Sequence, residues 1–226
     1  MMAIERYRMN TELIEYSDFN IASVGVTTLF DGRNFGLCYD TQPCVKLTTP
    51  PMVAPFPVSE YINKDRKSFT LTLGFNGYQT NCELETMKRL FESLDDLMIE
   101  LAIKHASTWF KSCRLNKPLS RQKIQEMYKP ILKPANNPNY PPSVRIKLKQ
   151  IDNQINSRVS FVKTNGTATA FSLDEFTPGS KVSVYIKLSN IWVVNNTFGI
   201  TLEGEDVFVH EPKLERAPVY SFAQDD

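Results

Sequence analysis

The sequence predicts a mainly β protein of the α+β class, a partly closed antiparallel barrel with one long helix inserted among its strands. Three observations predict it. Short segments alternate apolar and polar residues through most of the second half of the 226-residue chain, one segment of helical periodicity precedes them, and turn residues separate the segments.

The elements follow in order. Asp31-Gly32 is a turn signal, and residues 35–39 and 45–49 are expected as short strands interrupted at Pro43. Between 49 and 57, Pro50, Pro51, Pro55 and Pro57 remove backbone donors and fix φ, so an extended connection or a peptide-like arm is expected there. Residues 68–75 alternate, with Phe69, Leu71, Leu73 and Phe75 on one face and Ser68, Thr70 and Thr72 on the other.

A helix is expected over 80–110, opened by Thr80 and Glu83 at capping-box spacing. Leu84, Met87, Leu90, Phe91, Leu94, Leu97, Met98, Leu101, Ala102, His105 and Trp109 recur at intervals of three and four and make one buried stripe. Asp95 and Asp96 fall off the stripe and no other residue at ligand spacing accompanies them, so a solvated face is expected rather than a metal or acid-base pair.

A short helix over 120–128 comes next, and then strands to the end. Val144, Ile146 and Leu148 alternate with Arg145, Lys147 and Lys149, and Asn165-Gly166 is a hairpin signal after residues 159–161. Val182, Val184, Ile186 and Leu188 alternate with Lys181, Ser183, Tyr185 and Lys187. Residues 191–194 and 198–202 pair around Asn195-Asn196, and 207–209 closes the sheet.

Charge is segregated along this chain although its net value is only +1. Residues 103–150 hold eleven Lys and Arg against Glu126 alone, or +10, while 1–102 hold 9 basic and 14 acidic side chains and 151–226 hold 6 and 10. Clustered cations recruit polyanions, among which nucleic acid leads. Solvation of an ordinary loop and helix is the competing explanation of the same charges.

Signatures of catalysis are absent: no phosphate-binding glycine loop, dinucleotide fingerprint, zinc-protease helix or nucleophile elbow occurs. Cys38, Cys44, Cys82 and Cys113 lack Cys-x-x-Cys spacing and only two histidines are present, so no metal site, no cofactor and no enzymatic activity are expected. No apolar run reaches membrane-spanning length and no cleavable leader opens the chain, so a soluble intracellular protein without a membrane partner is expected.

Period-2 alternation sorts the two charged strands by face. With their aliphatic residues inward, Arg145, Lys147 and Lys149 project together from one strand and Lys181, Tyr185 and Lys187 from the other. Cations beside an aromatic ring can hold a phosphate backbone while the ring stacks on a base. These six residues are the candidate nucleic-acid contacts, with Tyr140 as a further stacking platform and Trp192 as a lesser one.

The run from Tyr140 through Pro141, Pro142, Val144 and Ile146 to Leu148, the pair Ile191-Trp192, Phe198-Gly199-Ile200 and Val207-Phe208-Val209 together resemble the single-stranded DNA-binding proteins of nucleocytoplasmic large DNA viruses. That family looks related to the single-stranded DNA-binding proteins of short-tailed phages. The resemblance covers about 35–210 of the sequence and extends to the Pro-rich segment and the long helix. It implies an OB-fold domain over 35–210, flanked by a 1–34 extension and a 211–226 tail, and a role in viral DNA replication or recombination at a replication site in a host cell. Single-stranded DNA is the implied partner, with replication proteins and a second copy of the chain as further candidates. Members of the phage branch end in a long acidic tail with a terminal aromatic, to which only Phe222, Asp225 and Asp226 correspond. The rival expectation is a viral structural or protein-interaction module whose Pro-rich arm docks on a partner.

Overall fold

The computed structural model describes residues 13–29, 34–40, 42, 45–64, 66–110, 119–137 and 139–212. The Asp31-Gly32 turn, Pro43, Cys44, Lys111, Cys113, Arg114, Lys117 and the tail residues Phe222, Asp225 and Asp226 lie outside them.

The first strands are β1 (Leu13–Ile14), β2 (Val24–Leu29), β3 (Asn34–Tyr39), β4 (Val45–Thr48), β5 (Met52–Val53), β6 (Ser59–Asn63) and β7 (Arg66–Gly74). Helices α1 (Cys82–Lys104), α2 (Ala106–Trp109) and α3 (Arg121–Met127) follow. The two-residue strands β8 (Tyr128–Lys129) and β9 (Leu132–Lys133) precede β10 (Ser143–Leu148), a small hairpin of β11 (Gln150–Ile151) and β12 (Gln154–Ile155), then β13 (Arg158–Val162) and β14 (Ala168–Ala170). The last pair, β15 (Lys181–Val194) and β16 (Thr197–His210), is also the longest.

The protein is mainly β, with one large sheet and few helices. Strand β15 pairs with β5, β5 with β7, β7 with β10, β10 with β16, and β16 with β15, so the pairings return to their start. The β5–β7 link is one residue pair wide, Val53 with Gly74. The sheet is not wholly antiparallel, as expected from the sequence, but mixed: β8, β10 and β13 run parallel to β16, and β1 runs parallel to β4. Alternation places a residue on a face and says nothing about the direction of its neighbour, which long connections decide.

Alternation does identify the core. Leu71, Leu73, Val144, Ile146, Leu148, Val182, Val184, Ile186 and Leu188 are all fully buried. The segments expected as 182–188 and 191–194 are one 14-residue strand, as are 198–202 and 207–209. Register shifts at Tyr185/Ile186 and Leu188/Asn190 let these long strands change phase without ending. Asn195 and Asn196, with φ of 49° and 62°, turn the chain between them, a backbone that the twist of a two-residue hairpin requires.

Helix α1 is capped by Asn81 rather than Thr80: its Oδ1 accepts from the backbone N–H groups of Glu83 at 2.9 Å and Leu84 at 3.2 Å. The Thr80 hydroxyl instead donates to the carbonyl of Gly77 at 3.2 Å. The helix breaks at His105, where α2 continues and brings Trp109 into the core among Phe35, Phe110 and Phe198. His105 stacks on Trp109 with ring centroids 5.8 Å apart, so it packs as its place in the stripe predicts.

The Pro-rich segment is not a free arm along its first half. Met52 and Ala54 are buried, Met52–Val53 form β5, and the donors that the prolines leave in place are used: Thr49 N–H to the Val184 carbonyl at 3.0 Å and Ala54 N–H to the Ser180 carbonyl at 2.9 Å. Only beyond it does a large side chain emerge, with Phe56 58% exposed.

Candidate nucleic-acid interface

The core occupies one face of the ladder, so residues of opposite phase form an outer face. On β10 these are Arg145 and Lys147, in register with Thr72 and Thr70 of β7. Two short strands extend that face. Strand β9 sets Lys133 opposite Ser143, and β8 sets Lys129 beside Gly199. Trp192 is the register partner of Gly199 and lies over it, since a Cβ there would stand 2.8 Å from the indole Cζ2. A glycine is therefore what lets the indole lie down against the sheet.

These residues line one groove of about 230 Å³: Lys129, Lys133, Arg145, Lys147 and Trp192, with Thr70 and Thr201 as polar neighbours and Ile131 and Ile200 beneath. Among the described residues no carboxylate lines it. The like charges feel one another, because partial burial and the proximity of Arg145 and Lys129 lower the Lys133 ammonium below its ordinary pKa. An anion seated here relieves that repulsion.

The chain from Tyr128 to Leu132 is pinned from the helix. Asp95 Oδ1 accepts the Tyr128 hydroxyl at 2.6 Å and the Ile131 N–H at 2.8 Å, and Asp95 Oδ2 accepts the Leu132 N–H at 3.5 Å. Asp95 is thus half-buried and engaged, contrary to the solvated face that periodicity suggested; Asp96 alone is exposed. Burial raises the Asp95 carboxyl above its ordinary pKa despite these three donors, and burial followed by Asp95 raises the Tyr128 phenol. Among the described residues no three His, Cys, Asp or Glu side chains gather into a metal-binding group.

Of the candidates from the sequence, the structure brings Arg145, Lys147 and Trp192 together. It separates the others. Lys187 shares a row with Lys147 but Glu203 stands between them, in register with both, and on its other side is Lys46, which pairs with Glu205 at 2.7 Å. Tyr185 is half-buried, with its ring 4.8 Å from that of Phe208, and so is not the open platform expected. Lys181 lies at the far end of β15 and lines two hollows with His210, beside Glu175 in one and Glu211 in the other. The backbone N–H of Lys149 is held by the Ser157 hydroxyl at 2.8 Å where β10 gives way to β13. Tyr140 is 67% exposed in the loop before β10.

Lys129 and Lys133 are the cations missed by sorting strand faces, because each sits in a two-residue strand too short to show a period. Their signal was the basic segment itself. That segment also splits: Arg121 pairs with Glu100, and Lys123 with Glu126 at 2.9 Å, while among the described residues no ion pair engages Lys129, Lys133, Arg145 or Lys147.

No family model matches the chain, nor does any curated protein, so neither comparison links it to the large-DNA-virus proteins. Solved structures do resemble it. The single-stranded DNA-binding protein gp2.5 of bacteriophage T7 is 13% identical, with 79% of this chain and 98% of that one covered at a TM-score of 0.43. The single-stranded DNA-binding protein of bacteriophage Enc34, solved in complex with single-stranded DNA, is 13% identical, with 84% and 96% covered at a TM-score of 0.43. At such identities and scores the superposition is loose.

Proposed function

We propose that the chain binds single-stranded DNA without sequence preference, in the groove between β8, β9, β10 and the end of β15. The observation that carries this is the composition of the groove wall: four cations and an indole, with no carboxylate among the described residues that line it. The cations hold phosphates and Trp192 stacks on a base, an interaction open to every base because each has a π-face. The pairing ring of β15, β5, β7, β10 and β16 is read as an OB-type barrel that carries the groove on its outside. The resemblance of the sequence extends the reading to covering single strands during replication or recombination of viral DNA, with no catalytic step.

Titration of the protein with oligo(dT) and with duplex DNA at several salt concentrations tests the reading. Four phosphate contacts predict a log-log salt slope of about −3 for single strands, and duplex, whose base faces are covered, competes poorly. Binding quenches the Trp192 emission, while Trp109, buried among rings, contributes a constant background. A flat salt response overturns the proposal and favours the protein-interaction reading.

A further inference from the structure

We propose that Tyr61 is a second base platform, so that the single strand crosses the sheet from Trp192, over the four cations, to the β6–β7 hairpin. This rests on the reading of the groove as a single-strand site. The register carries the argument. Lys147 is opposite Thr70, Thr70 is opposite Ser59, and two residues further along the hairpin Tyr61 is opposite Ser68. Because Leu71 and Leu73 are buried, Thr70 and Ser68 stand on the outer face, and Ser59 and Tyr61 stand with them. Tyr61 therefore shares a face with Arg145 and Lys147, on the side of the cation strip away from Trp192, and Arg66 continues that face one row beyond.

Strand β6 has no share in the core. All five of its residues are exposed, Tyr61 to 66%. On the β7 side of the arm Phe69, opposite Glu60, packs partly buried against the core, and a two-stranded arm with so little buried is marginal by itself. Polar contacts add to that anchor: Lys67 pairs with Glu60 at 2.7 Å and its N–H donates to Asn153 Oδ1 at 3.2 Å, in the turn between β11 and β12. The Tyr61 ring is thus presented on a braced arm without a packing role, continuous with a cationic strip that has a polyanion's complement of charge. From Trp192 on β15 the path to Tyr61 on β6 crosses β16, β10 and β7, four interstrand steps of about 4.8 Å each, and also advances about six residues of about 3.3 Å along the strands, from the Gly199 row past the Glu203 row to the Ser68 row, or about 28 Å in all. A strand stacked as in a duplex advances about 3.4 Å per nucleotide, so the path takes about eight stacked nucleotides, and fewer when the strand is extended.

The test compares wild type with Tyr61→Ala, Tyr61→Phe, Trp192→Ala and the combined Lys129→Gln, Lys133→Gln, Arg145→Gln, Lys147→Gln variant, titrated with oligo(dT) of increasing length. Tyr61→Ala is expected to weaken binding by about 5- to 150-fold on oligonucleotides long enough to reach the arm. It should leave the shortest ones and the melting temperature unchanged, and Tyr61→Phe should retain the wild-type affinity. If Tyr61→Ala binds every length as wild type does while the four-cation variant loses affinity, the arm is not a platform and the groove stands alone. If wild type binds no oligonucleotide, the groove reading fails and this inference fails with it.

Discussion

At the end of the outer face where β15 stops and β16 starts, Lys129, Lys133, Arg145 and Lys147 converge on Trp192, with no acid among the described residues of the wall. At the opposite end the same kinds of side chain are engaged with one another. Arg158 donates from a terminal nitrogen to Asp206 Oδ2 at 2.8 Å, Tyr185 packs on Phe208, and Ser183 shares a hydrogen bond with His210 at 2.8 Å. Both ends hold cations and aromatic rings. The difference is whether the cations are ion-paired within the fold: Glu203 stands in register beside Lys147, but among the described residues no ion pair engages the four groove cations, and such a cluster keeps affinity for a polyanion.

The largest expected effect breaks the comparison directly. Lys129→Gln, Lys133→Gln, Arg145→Gln and Lys147→Gln together should reduce the magnitude of the salt slope for oligo(dT) by about 3 units. Lys181→Gln at the other end should leave it unchanged. Equal losses at both ends would mean that the whole face attracts DNA diffusely and that the groove has no special standing.

Asp95→Ala comes next. It leaves the Tyr128 hydroxyl and the Ile131 N–H without an acceptor, and each buried unsatisfied donor costs about 1–3 kcal/mol, read as a lower denaturation midpoint. Oligonucleotide affinity should fall too, because Lys129 and Lys133 flank the released segment. Wild-type stability carries a pH signature of the same residue. The folded chain holds the Asp95 proton more tightly than the unfolded chain, so this residue's contribution to stability declines as pH rises from the ordinary carboxylate pKa through the raised one. Asp95→Asn should remove that part of the profile.

The two rings sharpen the contrast. Trp192→Ala should cost about 1–3 kcal/mol of oligonucleotide binding at little cost in stability. Tyr185→Ala should do the reverse, with about 0.5–1.5 kcal/mol of stability lost from the ring pair beyond its buried area and binding retained. An affinity loss at Tyr185 matching that at Trp192 would return Tyr185 to the binding face.

The smallest effect concerns His210, whose imidazole is lowered below its ordinary pKa by burial and then by Lys181. The folded state resists its protonation, so the stability it contributes is present above the ordinary imidazole pKa and is lost as pH falls through the lowered one. His210→Gln should flatten this acid-side decline without changing the salt slope of DNA binding.

By itself the sequence determined which residues would be buried on β7, β10 and β15, and where a long helix would lie, because side-chain direction alternates or rotates with a period set by the local backbone. It also determined that positive charge collects between 103 and 150. Tertiary structure alone decided which of those cations meet. Lys129 and Lys133 reach the outer face through two-residue pairings with β16 and β10, and Trp192 joins them from the other side of a hairpin whose register is shifted by bulges. Arg121 leaves the cationic set because Glu100, 21 residues away in sequence, lies beside it in the fold, whereas Lys123 pairs with Glu126 within one helical turn, a pairing that local spacing already allows. Asp95 left the solvated face for a similar reason: its partners are 33 to 37 residues away, and a local period carries no information about a neighbour at that separation.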